Sequence, residues 1–131
     1  MRYVCLVCFE GSILDGLTPA QKEALDRDSL DYDRELASRG HLVLADALQG
    51  PDTAITVRVR DGRLSTTDGP FAETKEQVGG VVIIEARDLN EAVRVAAGIP
   101  IARFGSIEVR PILEIAYPAE KDAPAAAGSP A

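Results

Sequence analysis

Two helix-start signals, each lying between runs of strand-forming residues, constrain the fold more than any other feature of this sequence. Thr18-Pro19-Ala20-Gln21 combines a capping threonine, a proline at the first helical position and a glutamine that can reach back to the cap. Asp88-Leu89-Asn90-Glu91 repeats the capping pattern in the second half of the chain. Because an apolar run rich in β-branched residues precedes each signal and a further such run follows it, the sequence predicts two β-α-β units.

Between these two units, the sequence has the pattern of a β-hairpin. Ile55, Val57 and Val59 alternate with polar and cationic residues, and Asp61-Gly62 is a two-residue turn signal. We therefore expect a half-buried hairpin whose second face carries the polar and cationic side chains. The predicted strands span residues 2–9, 41–48, 54–60, 63–67, 81–86 and 106–115, the predicted helices span residues 19–39 and 88–97, and residues 72–79 are predicted as a loop or short helix.

This order of elements predicts an α+β fold of the ferredoxin-like type, β-α-β-β-α-β with an extra hairpin strand. Two helices would cover one face of the sheet and leave the other face exposed and partly apolar. Such a face usually marks an interface, and a chain of 131 residues is small enough to benefit from association. We therefore expect a homodimer of the dimeric α/β-barrel type, in which two sheets pack face to face.

Charge and hydropathy disfavour several classes of function. The net charge of −7 argues against a nucleic-acid partner, which would require a basic face. No run approaches the roughly 20 apolar residues that a membrane helix needs, and the N-terminal apolar run breaks at Glu10 without a signal-peptide cleavage site. These features predict a cytoplasmic protein without a membrane partner. We predict one domain over residues 1–117 and a disordered tail rich in alanine and proline over residues 118–131.

Cys5 and Cys8 form a C-x-x-C motif, but the motif lies in a predicted strand and does not open a helix. Residues three apart on a strand point to opposite faces, so the two thiols would not pair. We interpret both as buried structural thiols, with a redox or metal role as the less favoured alternative. One histidine and two strand cysteines do not make an ordinary zinc site. The sequence therefore predicts no metal and no cofactor.

The segment from Asp68 to Gly80 reads DGPFAETKEQVGG, and residues 107–111 read IEVRP. Together with the opening RYVCLVC and the segment LASRGHLVLADAL, these residues resemble the DGPF-domain proteins, a branch of the YCII-related family, over about residues 1–115. The resemblance implies a dimeric α/β-barrel with a cleft at the sheet surface. It also implies a His-Asp pair as the catalytic candidate and a regulatory link to extracytoplasmic-function sigma factors. Val81 departs from the family pattern, which often has an aromatic residue at that position.

His41 and Asp68 are the candidate catalytic residues. His41 is the only histidine in the chain, and histidine is the side chain best suited to acid–base chemistry near neutral pH. Asp68 would accept a hydrogen bond from one ring nitrogen and so fix the tautomer. The alternatives are a histidine that merely follows the helix-ending Gly40 and an aspartate that forms a turn with Gly69.

Phe71, Lys75 and Arg58 are the candidate ligand-binding residues. Phe71 would form a wall of the pocket, and Lys75 and Arg58 would bind an anionic group. The alternatives are core packing for Phe71, a solvated face for Lys75 and a sheet-surface ion pair for Arg58. We interpret the neighbouring Glu73 and Glu76 as solvated surface, because they do not form a convincing catalytic pair.

The leading functional hypothesis combines these residues. It is a homodimer that binds a small polar or anionic organic molecule in a cleft, with cofactor-free proton transfer by His41 and Asp68 if the protein is an enzyme. The alternative is a non-catalytic regulatory or sensor partner linked to a sigma factor.

Overall fold

The computed structural model describes residues 1–116 of the chain, and the predicted tail at 118–131 lies outside the described residues. Within residues 1–116 no helix is long and apolar enough to cross a membrane. Two short 3-10 turns lie at Pro51–Thr53 and Pro100–Arg103. The helices and strands are β1 (Arg2–Phe9), α1 (Gly11–Asp15), α2 (Pro19–Ser38), β2 (Leu42–Ala47), β3 (Ile55–Arg60), β4 (Arg63–Asp68), β5 (Gln77–Glu85), α3 (Leu89–Ala97) and β6 (Ser106–Pro111).

Four of the strands form one sheet in the order β2-β5-β1-β6, and all neighbours are antiparallel. The long register between β1 and β5 runs from Arg2 opposite Glu85 to Phe9 opposite Gln77, with a shift between Val7 and Cys8. The predicted α+β class is confirmed, and the strand order is consistent with a ferredoxin-like fold. β5 begins four residues before the predicted strand, so part of the segment predicted as loop or short helix joins the sheet.

The first predicted capping box forms in full, and the second forms in part, because the Glu91 carboxylate accepts from the Arg87 N–H in place of the Asp88 N–H. The Thr18 hydroxyl accepts a hydrogen bond from the Gln21 backbone N–H at 3.1 Å, and the Gln21 side chain accepts one from the Thr18 N–H at 2.9 Å. At the start of α3, the Asp88 carboxylate accepts from the Glu91 N–H at 2.9 Å. These contacts satisfy backbone N–H groups that have no partner inside the helix, so both helices begin where the sequence predicts.

The core lies between the helices and one face of the four-stranded sheet. The Tyr32 hydroxyl of α2 donates a hydrogen bond to the Val95 carbonyl of α3 at 2.6 Å, which joins the two helices. Strand alternation sends every second side chain of β1 and β5 to this face. The buried side chains of the core cluster include Tyr3, Cys5 and Val7 of β1, Val82 and Ile84 of β5, Leu36 of α2, and Ala92, Val95 and Ala96 of α3.

Helical spacing predicts that four residues of α3 face the core, namely Leu89, Ala92, Val93 and Ala96, and the structure agrees with this only in part. Ala92 and Ala96 are buried as expected, but Leu89 and Val93 are about half exposed and Val95 is buried instead. A helix turns about 100° per residue, so residues 92, 95 and 96 define one stripe. Leu89 and Val93 lie at the edge of that stripe, which explains their exposure.

The predicted hairpin forms, but the prediction that one of its faces is buried is wrong for the described residues. β3 and β4 form a two-stranded sheet of their own, so both strands lie outside the four-stranded sheet. Asp61 and Gly62 have positive φ angles of 52° and 74°, as a type I′ turn requires. The aliphatic face is exposed because no element within residues 1–116 covers it. Its members, Ile55, Val57, Val59 and Leu64, are between 59% and 69% exposed.

The last strand is shorter than predicted. β6 ends at Pro111, which lies opposite Tyr3 at the edge of the sheet. The sequence indicates such a position for Pro111, because proline has no N–H to donate to a neighbouring strand and therefore favours strand ends and edge strands.

Candidate functional site

A cleft of about 570 Å³ lies at the end of the sheet where β1 ends and β5 begins. Cys8, Gln77 and Val78 contribute to its lining from these two strands. The rest of the lining comes from two segments, residues 48–54 between β2 and β3 and residues 70–76 between β4 and β5. The volume is in the range of pockets that bind small organic molecules.

The segment at 70–76 begins at a turn tied to the hairpin. Gly69 has a φ angle of 101°, which a residue with a Cβ rarely adopts. Its N–H donates a hydrogen bond to the Ala54 carbonyl at 2.8 Å, and its carbonyl accepts one from the Thr56 hydroxyl at 2.9 Å. The turn thus brings the two lining segments together at the base of the hairpin.

Gln77 holds the other end of this segment. Its side-chain amide donates hydrogen bonds to the carbonyls of Ala72 and Thr74, both at 2.9 Å. A further contact of 3.2 Å joins the same nitrogen to the Thr74 hydroxyl. One amide therefore fixes the backbone of the segment against the start of β5.

Phe71 lines the cleft and is 82% exposed, so it does not belong to the core. The Arg58 guanidinium carbon lies 5.9 Å from the centroid of its ring, within the range of a cation–π contact. The Lys75 ammonium lies 3.7 Å from a carboxylate oxygen of Glu10, and the lysine side chain is almost fully exposed. Neither cation belongs to the cleft lining. Their roles in ligand binding stay predictions.

His41 lies immediately before β2, at the end of the sheet opposite the cleft. Its Nδ1 is 2.8 Å from the Glu85 carbonyl oxygen. Because a carbonyl only accepts, this contact places a ring proton on Nδ1, and in the neutral form of the ring the lone pair is then on Nε2. The His41 backbone also pairs with Leu36 and Glu85, each at 2.8 Å.

The structure does not bring His41 and Asp68 together within one chain. Asp68 is the last residue of β4, is exposed, and lies opposite Ile55 in the hairpin. The start of β2 at His41 and its end beside the cleft are roughly 20 Å apart, given the rise of about 3.3 Å per strand residue. A catalytic role for either residue therefore stays a prediction.

Comparisons with known proteins identify the family of this chain. A model of the YCII-related domain matches residues 1–116. The chain belongs to the YCII-related domain family. It is 33% identical to an uncharacterised protein of Rhizobium meliloti over 114 residues, which cover 86% of this chain and 92% of that protein.

One solved structure resembles this YCII-related domain in fold. It is 5-chloro-2-hydroxyhydroquinone dehydrochlorinase from Burkholderia phenoliruptrix, in complex with 2,5-dihydroxybenzoquinone. The TM-score is 0.53 at 14% identity, and the match covers 86% of this chain and 94% of that one. At such an identity the similarity shows the fold alone.

Of the lining residues of this YCII-related domain, only Phe71 was predicted as a site residue, and Cys8 and Glu76 are two with reactive or charged groups that were not. The two thiols point to opposite faces, as expected, but Cys8 is only partly buried and lines the cleft, whereas Cys5 is fully buried. Burial raises the pKa of Cys5 to about 11. The pKa of Cys8 is also raised, first by burial and then by the negative charges of Glu108 and Glu76. Both thiols are therefore protonated near neutral pH.

Glu76 is the other residue, and its interpretation as solvated surface is wrong. Its side chain is partly buried, and it is the one charged side chain that lines the cleft within the described part of the chain. The Ser106 hydroxyl donates a hydrogen bond to its carboxylate at 2.7 Å. No local pattern indicates this pair, because Glu76 precedes β5 and Ser106 begins β6, which lie on opposite sides of β1.

Across residues 1–116, no three His, Cys, Asp or Glu side chains are grouped as a metal ion would require. The expectation that the protein uses no metal and no cofactor stays a prediction.

Proposed function

We propose that this domain, as a member of the DGPF branch, forms a homodimer that binds a small polar organic molecule in the cleft. The observation that carries the proposal is the cleft itself, which has the volume of a ligand pocket and is walled by the segment that bears the DGPF motif. The structurally similar dehydrochlorinase has a ring-sized organic molecule bound. That likeness is compatible with a small-molecule ligand here.

An uncovered sheet face supports the homodimer. Val4 and Leu6 of β1 lie opposite Ile83 and Val81 of β5, and all four are partly exposed on the face that the helices leave open. Charged side chains of the two neighbouring strands flank this apolar centre, namely Asp46 of β2, opposite Val81, and Glu108 and Arg110 of β6, opposite Leu6 and Val4. An apolar centre with a polar rim is the usual anatomy of a protein–protein interface.

The β3–β4 hairpin supports association in a second way. A two-stranded hairpin by itself is marginally stable in water. Its aliphatic face has no cover from the described part of the chain, although its residues alternate as in a buried strand. A second copy that covers this face would explain why the alternation is present.

The dimer is tested by sedimentation equilibrium with two matched variants. Ile83→Glu places a charge at the centre of the uncovered sheet face and is expected to give a monomer that retains the wild-type circular dichroism spectrum. Leu30→Glu places the same charge on an exposed position of α2 and is expected to leave the dimer intact. A wild-type protein that stays monomeric at high concentration would refute this part of the proposal.

The cleft is tested by ligand binding with another matched pair. NMR shift mapping with ring-sized polar compounds is expected to perturb residues 48–54 and 70–78. Phe71→Ala should weaken this binding because the ring lines the cleft. Phe104→Ala is the control, since Phe104 lies outside the lining and also has an arginine 5.9 Å from its ring centroid. Equal effects of the two variants would argue against the cleft as the binding site.

Proton transfer by His41 and Asp68 is the catalytic form of the proposal, and it requires two chains. Since one chain keeps the residues apart, His41 would have to meet Asp68 of a second copy. The Nδ1 contact of His41 supports a role as base, since it leaves Nε2 as the nitrogen with the lone pair when the ring is neutral. A crystal structure of the oligomer would test this idea. A ring-to-carboxylate distance of about 2.6–3.2 Å would support it, and a wide separation would leave binding as the function.

A further inference from the structure

The hydroxyl groups that line the cleft already donate to the protein itself. The Thr53 hydroxyl donates to the Gly50 carbonyl at 2.7 Å. The Thr74 hydroxyl donates in a short hydrogen bond to the Glu76 carbonyl. A hydroxyl has one proton to donate, so neither threonine offers a donor to a ligand without losing an internal bond.

The other donors on the strand side of the cleft are also engaged. The two amide protons of Gln77 are directed to the carbonyls of Ala72 and Thr74. The Cys8 thiol contacts the Leu6 carbonyl at 3.7 Å. Gln49 is exposed at the mouth of the cleft, and its side-chain amide has no hydrogen-bond partner within residues 1–116.

The acceptors of the cleft have capacity left. A carboxylate has about four lone-pair sites, and the Ser106 hydroxyl uses one of those on Glu76. No cation of the described chain lies within ion-pair distance of Glu76, and the nearby Arg58 and Lys75 lie outside the lining. An anionic ligand would therefore face an uncompensated carboxylate, which costs free energy through like-charge repulsion.

We propose that Glu76, oriented by Ser106, is the recognition group of the cleft, and that its ligand is an uncharged ring compound that donates hydrogen bonds through hydroxyl groups. This inference rests on the proposed function and narrows its ligand class, because the lining side chains other than the exposed Gln49 offer hydrogen-bond acceptors and no unengaged donor. Of the two ligand classes that the sequence suggests, polar and anionic, the inference favours the polar class.

The test compares two probes of similar size, resorcinol and benzoate, by isothermal titration on the full chain. Wild type is expected to bind resorcinol at least tenfold more tightly than benzoate. Glu76→Gln removes the charge from the acceptor and should weaken resorcinol binding about tenfold or more, because hydrogen bonds to charged groups are the stronger class. Glu73→Gln is the matched control, since Glu73 is exposed and outside the lining.

Ser106→Ala gives a second variant that keeps the carboxylate and removes the hydroxyl that orients it. It should weaken resorcinol binding by a smaller factor than Glu76→Gln does, with benzoate binding unchanged. Circular dichroism checks that each variant is folded.

The outcomes separate the inference from the proposed function. If neither probe binds to wild type in the cleft, the proposed function itself fails and the inference with it. If the cleft binds benzoate more tightly than resorcinol, or if Glu76→Gln and Glu73→Gln bind resorcinol alike, the cleft remains a binding site but Glu76 is not its recognition group.

Discussion

Replacing Gln77 with glutamate should detach the segment at residues 70–76 from the start of β5 with almost no change in side-chain size. The wild-type amide donates to two carbonyls, those of Ala72 and Thr74. A carboxylate has no proton to donate at neutral pH and would place its oxygens against these carbonyl oxygens. Gln77→Glu therefore turns two attractive contacts into repulsive ones at a single position.

The magnitude follows from the two bonds that are lost. Each is 2.9 Å long, and a typical intramolecular hydrogen bond contributes about 1 kcal/mol net. The third contact, at 3.2 Å, is too weak to add much. We therefore expect Gln77→Glu to lower the free energy of unfolding by about 2 kcal/mol, with the carbonyl repulsion acting in the same direction.

Urea unfolding followed by far-ultraviolet circular dichroism measures this change. All variants must be compared at one protein concentration, because association with a second copy would add to the apparent stability. Gln49→Glu makes the same substitution at an exposed lining position and should stay within about 0.5 kcal/mol of wild type. A Gln77→Glu protein that is as stable as Gln49→Glu would refute the reasoning.

Three further predictions concern the core, the thiols and the sheet end. Ile84→Ala should lower the free energy of unfolding by about 2–5 kcal/mol in urea, since Ile84 is fully buried; a loss under about 1 kcal/mol would contradict the packing described. A thiol reagent at mildly alkaline pH should modify Cys8 while Cys5 reacts only after unfolding, because Cys5 has no exposed surface and burial raises its pKa to about 11; equal rates would be inconsistent with this burial. Hydrogen bonds from Arg2 and from the N-terminal amine hold the pKa of Glu85 below its ordinary value. The stabilisation that this carboxylate contributes is therefore present above its unfolded-state pKa and is lost as the pH falls through its folded-state pKa. Glu85→Gln should accordingly reduce the loss of stability at acidic pH, and an unchanged loss would count against the ion pair.

The elements that could be predicted depend on local signals. The caps at Thr18 and Asp88 involve residues three positions apart, so a short segment contains all the atoms of the interaction. The turn at Asp61-Gly62 is equally local, and both of its residues take the positive φ angles that the pattern indicates. Strand alternation likewise placed Cys5 and Cys8 on opposite faces of β1.

Predictions about burial were less successful where they depended on distant elements. The alternation in β3 indicates an apolar face, but it does not say what will cover that face. The structure shows that no other element among the first 116 residues covers it. In α3, apolar residues occupy more positions than the inward stripe can hold, so packing against β1 and β6 selected Val95 over Leu89 and Val93.

By itself, the sequence determined the α+β class, the starts of both long helices and the hairpin turn, because each depends on contacts between residues near in the chain. Of the candidate site residues taken from the sequence, Phe71 lies in the lining of the cleft. Only the tertiary structure decided that Cys8 and Glu76 line that cleft, that Ser106 orients Glu76, and that His41 lies at the other end of the sheet. These facts depend on which strands pair and in what register, and the local patterns of a chain do not specify contacts between residues thirty or more positions apart.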